Sequence, residues 1–135
     1  MESDRASGAT LVVEGLHHVA LTVTDLARAT RFYRDVLGLR ELPRPPFDFA
    51  GAWYQAGDRQ LHLVVHPPTR TLRGTTEIDS RDGHVALRVA SYAGALEHLR
   101  RHGVVFRDQY DNLTPWAQIY VTDPDGNVIE INAER

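Results

Sequence analysis

Two stretches of this chain carry the same alternation of apolar and polar positions. In the first, Val19, Leu21 and Val23 are branched and apolar, and His18, Ala20 and Thr22 lie between them. A period of two predicts a strand with one face packed on a helix. Leu16, His18, Ala20 and Thr22 share the opposite face. The six residues His18-Val19-Ala20-Leu21-Thr22-Val23 recur 66 residues later as His84-Val85-Ala86-Leu87-Arg88-Val89, with five of six positions unchanged. The same parity puts Val85, Leu87 and Val89 under a second helix and turns His84 the other way.

The residues after each copy also agree in kind. Asp25 and Ser91 are N-cap residues. Leu26, Ala29, Phe32, Tyr33, Val36 and Leu37 then fall at helical spacing, and Gly38 is a natural stop. In the second copy Tyr92, Ala95, Leu96 and Leu99 keep that period, and Gly103 closes it. Strands are predicted at 39–42, 49–55 and 60–66 in the first half, and at 104–106, 116–122 and 127–132 in the second. Gly57-Asp58 and Asp125-Gly126 supply turn chemistry before the last strand of each half. Each half therefore reads β-α-β-β-β.

The expected organisation is a flexible tail over 1–10, a first module over 11–66, a linker rich in Pro, Thr, Arg and Gly over 67–82, and a second module over 83–135. A lone half of about 55 residues buries too little surface to be stable by itself. The expected class is α+β: two paired βαβββ modules forming a curved, cupped mixed sheet around a metal site, with the helices outside.

Composition narrows the function. The 135-residue chain has a formal net charge of −3 and no run of Lys or Arg, which argues against a nucleic-acid partner. No apolar stretch reaches the roughly 20 residues of a membrane span, and no signal-peptide core is seen near the N-terminus, so a cytoplasmic location is expected. The absence of cysteine excludes disulfides and thiol chemistry, whereas seven histidines are a rich supply of donors.

Leu61-His62-Leu63 aligns with Ile129-Glu130-Ile131, each a polar residue between two apolar ones. His62 and Glu130 thus hold matching places, as do His18 and His84. A twofold relating the halves would gather all four. Three imidazoles and a carboxylate suit a borderline divalent ion: Zn, Ni, Co, Mn or Fe(II). His17 has the wrong parity, His66 lies at the rim, and His98 and His102 are expected to be solvated on a helix.

The chain resembles the vicinal oxygen chelate superfamily, the glyoxalase/bleomycin resistance/dioxygenase fold. The resemblance spans nearly all of 16–132. It rests on His18-Val19-Ala20-Leu21 with Asp25-Leu26 and Phe32-Tyr33…Leu37-Gly38-Leu39, then Gly83-His84-Val85-Ala86-Leu87, then Asp123-Pro124-Asp125-Gly126-Asn127…Glu130. By that resemblance His18, His84 and Glu130 match family metal ligands. His62 stands where many lyases and epimerases of the family have Glu or Gln. The implied chemistry is Lewis-acid stabilisation of an enediolate or alkoxide while a base, here Glu130, moves a proton.

The leading expectation is a metal-dependent lyase or isomerase of glyoxalase type, acting on a small substrate chelated through adjacent oxygens. The alternatives are an Fe(II) extradiol-type dioxygenase, which would want open the position that His62 fills, and a non-enzymatic antibiotic-binding or resistance protein. Phe49, Trp53, Gln118 and Tyr120 are expected to contact substrate, with Phe47 and Trp116 nearby and 43–49 as a mouth loop. Arg44 and Arg88 are candidate partners for an anionic substrate. A homodimer that exchanges halves between chains is expected, because relatives place ligands from two chains at each site.

Overall fold

The computed structural model describes residues 11–67 and 73–135. The expected tail and positions 68–72 of the expected linker lie outside the described residues. The elements run β1 (His18–Val23), α1 (Leu26–Thr30) continuing as a π-helical segment (Arg31–Val36), β2 (Arg40–Leu42), β3 (Gly51–Ala56) and β4 (Arg59–Val65). The second half repeats them as β5 (His84–Arg88), α2 (Tyr92–Arg101), β6 (Arg107–Gln109), β7 (Trp116–Thr122) and β8 (Val128–Glu134). The βαβββ reading holds in both halves. Among the described residues no helix is long and apolar enough to cross a membrane.

The strands form two four-stranded sheets, ordered β1-β4-β3-β2 and β5-β8-β7-β6. β1 pairs with β4, and β5 with β8, in parallel; the other pairs are antiparallel. Registers repeat between halves. Ala20 faces His62, which faces Trp53, as Ala86 faces Glu130, which faces Tyr120. One face of each sheet carries the branched residues and packs on its helix. A single buried cluster joins Phe32, Tyr33, Leu61 and Leu63 of the first module to Leu96, Leu99, Ile129 and Ile131 of the second.

Two elements differ from the pattern-based prediction. The first helix is not uniform. After Thr30 it widens to π geometry, with Leu37 N–H donating to the Phe32 carbonyl at 2.9 Å. Adjacent Phe32 and Tyr33 are both buried there, as the apolar spacing expects; the widened turn is what that spacing does not show. The strand expected at 104–106 lies three residues later, at β6. Val104 and Phe106 pack against the core, but β6 is fixed by ladder bonds to β7, and its own sequence, Arg-Asp-Gln, carries no apolar signal. The caps are as expected: Asp25 accepts from Arg28 N–H at 2.9 Å and Ser91 from Gly94 N–H at 3.0 Å.

The modules are tied by a buried carboxylate. Asp123, 2% exposed, accepts from the Tyr33 hydroxyl at 2.6 Å, the Asn127 side chain at 2.8 Å, and the backbone N–H groups of Asp125 and Asn127 at 2.9 and 2.8 Å. Asn127 also donates to the Thr22 carbonyl at 3.1 Å, and Thr24 donates twice to Asp125. The nearby Arg28–Asp125 pair, 3.5 Å long with a half-exposed arginine, adds little beside these. Gly126 has φ +90, and a Cβ there would lie 2.3 Å from the Thr75 carbonyl oxygen, so only glycine fits where the linker crosses the turn.

Burial first, then the Asp123 charge, push the Tyr33 hydroxyl well above its ordinary pKa. A raised value means that its contribution is complete below the unfolded tyrosine pKa and is lost as pH climbs through the folded one. Tyr33→Phe should cost about 1–3 kcal/mol, read as a lower midpoint in urea. In ultraviolet titration the variant should show one fewer late-ionising tyrosine than the wild type, in which Tyr54, Tyr92 and Tyr120 are also raised. An unchanged midpoint would mean that the modules are held together elsewhere.

Candidate metal centre

The face of each sheet turned away from its helix carries the candidate ligands. His62 is 8% exposed and sits between two rings across the strand order β1-β4-β3. His18 stacks on it with centroids 4.1 Å apart, and Trp53 stacks at 4.3 Å. Gln60 Oε1 lies 2.8 Å from His62 Nε2, and this acceptor fixes a proton on that nitrogen. Nδ1 is then the lone-pair donor. Burial first, then the charges of His18, His17 and Arg44, lower the His62 pKa, which keeps the ring neutral and able to ligate. His17 is exposed, with Nδ1 2.8 Å from His18 Nδ1.

On the second sheet Glu130 is 5% exposed. Its Oε2 accepts from Asn132 at 2.8 Å, and its Oε1 accepts from the Tyr120 hydroxyl at 3.1 Å. His84 Nε2 lies 3.2 Å from the same Oε1. His84 Nδ1 is 2.7 Å from the Asp82 carbonyl oxygen, which can only accept, so Nδ1 carries the hydrogen. In a neutral ring Nε2 therefore points a lone pair at a carboxylate oxygen. Two acceptors at that distance call for a shared positive charge, either a second proton on the ring or a metal ion. A histidine whose other nitrogen is bonded to a carbonyl is the usual form of a metal ligand. This donor set fits a divalent ion.

Burial alone would push the Glu130 carboxyl up, but hydrogen bonds from Asn132 and Tyr120 and the neighbouring His84 outweigh it, and the net shift is downward. The Tyr120 hydroxyl is pushed up to about 12 by burial and by the Glu130 charge. Tyr120 thus holds the carboxylate.

The four expected ligands form two pairs, His18 with His62 and His84 with Glu130. Among the described residues no group of three or more His, Cys, Asp or Glu could hold a metal ion. Of the expected substrate contacts, Trp53 and Tyr120 touch a pair directly. Phe49 stacks on Phe47 at 5.2 Å, and Gln118 stands in register with Asn132. An apolar cavity of about 330 Å³ between the modules, lined by Val36, Leu87, Val89 and Leu99, contains none of the four.

His98 is a correction. Helical spacing predicts it in solvent, but it is half-buried and its Nε2 donates to the Val36 carbonyl across the modules at 2.6 Å. That spacing gives no sign of a partner 62 positions away. His102 is exposed, as expected. Sequence reasoning misses Asn132, and it names Arg88 without finding its partner. Asn132 orients Glu130, and Arg88 Nε donates to Asn132 Oδ1 at 2.6 Å. Parity could have found Asn132, two residues beyond Glu130 on the same face.

Together, the duplicated βαβββ modules and the side-chain pairs His18–His62 and His84–Glu130 on corresponding strands define a scaffold built by repetition. The chain belongs to the glyoxalase/bleomycin resistance protein/dioxygenase superfamily, whose family model matches residues 15–131. It is similar to lactoylglutathione lyase of Escherichia coli O157:H7, 30% identical over 125 residues, or 89% of this chain and 93% of that one. Among solved structures it is similar to a glyoxalase family protein from Bacillus anthracis, with TM-score 0.77 and 22% identity over 94% of this chain and 100% of that one. It is also similar in fold to a variant of the fosfomycin resistance protein FosX from Listeria monocytogenes, with TM-score 0.70 and 18% identity over 92% and 95% of the two chains. That protein was solved with Mn(II) and 1S,2S-dihydroxypropylphosphonic acid.

Tyr120→Phe removes one donor from Glu130 and should raise its carboxyl pKa toward the ordinary glutamate value, read by carbon NMR of the metal-free protein. Because the folded value is depressed, the stabilisation is present above the unfolded pKa of about 4.3 and is lost as acid titrates the folded group. Glu130→Gln should flatten that part of the acid unfolding curve. A Glu130 titration unmoved by the tyrosine change would remove Tyr120 from the network.

Proposed function

We propose that the protein is a metal-dependent lyase or isomerase of glyoxalase type. Its working site takes the His18–His62 pair from one chain and the His84–Glu130 pair from a second copy. The observation that carries this reading is the convergence of His84 Nε2 and Glu130 Oε1, 3.2 Å apart, with His84 Nδ1 already bonded to the Asp82 carbonyl. One pair gives too few donors for a tight site; two pairs give three nitrogens and a carboxylate. His18, Ala20, His84 and Ala86 are exposed, which leaves both ligand faces free to meet a partner.

When bound, one divalent ion supplies Lewis-acid stabilisation of charge developing on a substrate chelated through adjacent oxygens. The residues do the rest. Glu130 is the group that accepts a proton from the substrate carbon and returns it. Asn132 and Tyr120 hold its two oxygens in place, which keeps the carboxylate ionised and ready. Trp53 and His62 form a flat wall against which an apolar part of the substrate rests, with Phe47 and Phe49 beyond. The named lyase relative supports an isomerisation of this kind, and a fourth donor at His62 argues against a dioxygenase, which needs that position open.

Untagged protein should contain about one Ni, Zn, Co or Mn per chain, and should convert the hemithioacetal of methylglyoxal to a thioester. Glu130→Gln should lower turnover by about a hundredfold or more. Mostly iron with oxygen-dependent ring cleavage would overturn the lyase reading. The shared site has its own test. Neither His18→Ala/His62→Ala nor His84→Ala/Glu130→Gln should be active, but chains co-refolded from both should regain activity, because one site of each mixed dimer is then intact. Absence of recovery in verified mixed dimers would place the site within one chain.

A further inference from the structure

The registers of the two sheets divide their open faces into matching rows. The ligand rows are Ala20–His62–Trp53 and Ala86–Glu130–Tyr120. One step further along the strands the halves part company. The first sheet presents Thr22, Val64 and Gly51, none of them charged. The second presents Arg88, Asn132 and Gln118. An arginine in that row has replaced the threonine of the repeat, and it is the one substitution in the six-residue match.

Arg88 is held ready without being neutralised. Its Nε donates to Asn132 Oδ1 at 2.6 Å, and its guanidinium lies 5.8 Å from the centre of the Trp116 ring. Among the described residues it forms no ion pair, its Nη1 and Nη2 have no hydrogen-bond partner, and the residue is exposed. With Nε bonded to Asn132, Nη1 and Nη2 remain as donors on an exposed side chain. Arg44 makes the useful contrast. Its guanidinium lies 4.9 Å from both the Phe47 and Phe49 rings and donates to the Phe49 carbonyl at 2.9 Å. A Cβ at Gly51 would come within 3.0 Å of Arg44 Nη2, so that side chain fills the space beneath the loop. Arg44 is committed to its own loop; Arg88 is not.

We infer that Arg88 is a specificity-determining residue that receives an oxyanion, carboxylate or phosphoryl, carried by the substrate one side-chain row from its chelated oxygens. Two residues along a strand span about 7 Å, which sets the distance between the chelating end and the anionic end. The inference rests on the chelation reading above. It adds the substrate class: a compact molecule with adjacent oxygens at one end and a negative group a few bonds away. Glu130 would repel such a group at close range, and Arg88 supplies the opposite charge where the anion arrives. A bidentate arginine contact also selects for oxyanion geometry.

The test uses the Zn(II)-loaded protein and three hydroxamates of equal length, each chelating through two adjacent oxygens: glutaric acid monohydroxamate, its terminal amide, and its terminal phosphonate analogue. Calorimetry should show one or both charged probes binding about tenfold or more tighter than the amide, and their order identifies the preferred oxyanion. Arg88→Gln should abolish the difference while leaving amide and zinc affinity within about twofold, and Arg88→Lys should keep part of it. A second readout needs no metal. In a Trp53→Phe background, glutarate should change Trp116 fluorescence, and Arg88→Gln should remove the change. Equal binding of amide and charged probes to the wild type overturns the inference and leaves the chelation reading standing. So does an Arg88→Gln that weakens all three alike, which would make Arg88 a positioning residue for Asn132. If no probe binds the zinc-loaded protein, the chelation reading fails and the inference falls with it.

Discussion

Asp123 places a carboxylate almost out of reach of water at the junction of the two modules, and most of the architecture follows from satisfying it. A buried acid without donors would cost several kcal/mol, and removing one partner leaves that cost exposed. Here two donors come from its own turn, one from the Asn127 side chain, and one from Tyr33 of the other module. The Asp-Pro-Asp-Gly-Asn turn is therefore both the start of β8 and the clasp that fixes β8 against β1 and the first helix. That clasp sets the helix-side faces against a common core. The opposite faces of the two sheets carry His18 with His62 and His84 with Glu130.

Repetition makes much of this legible in the sequence alone. The parity of β1, β5, β4 and β8 follows from period-two alternation, and the structure pairs His18 with His62 and His84 with Glu130 as that alternation requires. Helix caps are readable because Asp and Ser act locally, through backbone groups three residues away. The features that escape such a reading depend on partners distant in sequence. Nothing in Arg107-Asp108-Gln109 announces a strand; its pairing with β7 makes it one. Nothing near His98 announces the Val36 carbonyl. The widening of the first helix is similar, since it turns Tyr33 toward an acid 90 positions later. Alternation puts Tyr120 on the same face as Gln118, and the structure adds its hydroxyl bond to Glu130.

Symmetry between the halves explains the ligands, and departures from it explain how the two faces differ. At the ligand row a histidine in one half answers a glutamate in the other. In the proposed site, a neutral donor and an anionic one would leave a bound divalent ion with a net positive charge. At the neighbouring position of β3 and β7, Trp53 answers Tyr120. The tryptophan has no hydroxyl and stacks on a neutral imidazole; the tyrosine donates to a carboxylate. Each aromatic is matched to the charge of the ligand beside it.

The same logic extends one row outward and bears on which chemistry the scaffold serves. A face built only for an apolar substrate would gain nothing from a guanidinium, whose desolvation costs free energy unless an anion or aromatic face compensates. In this chain Asn132 holds both Arg88 and Glu130, through opposite ends of one amide. Glu130 and Arg88 are thereby linked through one amide, and neither can move without breaking its bond to it. A substrate that bridges them is oriented before any proton moves, which is where positioning contributes most to rate. The first sheet has stacked rings, and the guanidinium over its outer row, Arg44, is held between Phe47 and Phe49. In the proposed site, orientation would therefore rest with the second sheet, and the first would contribute His18, His62 and the apolar face of Trp53.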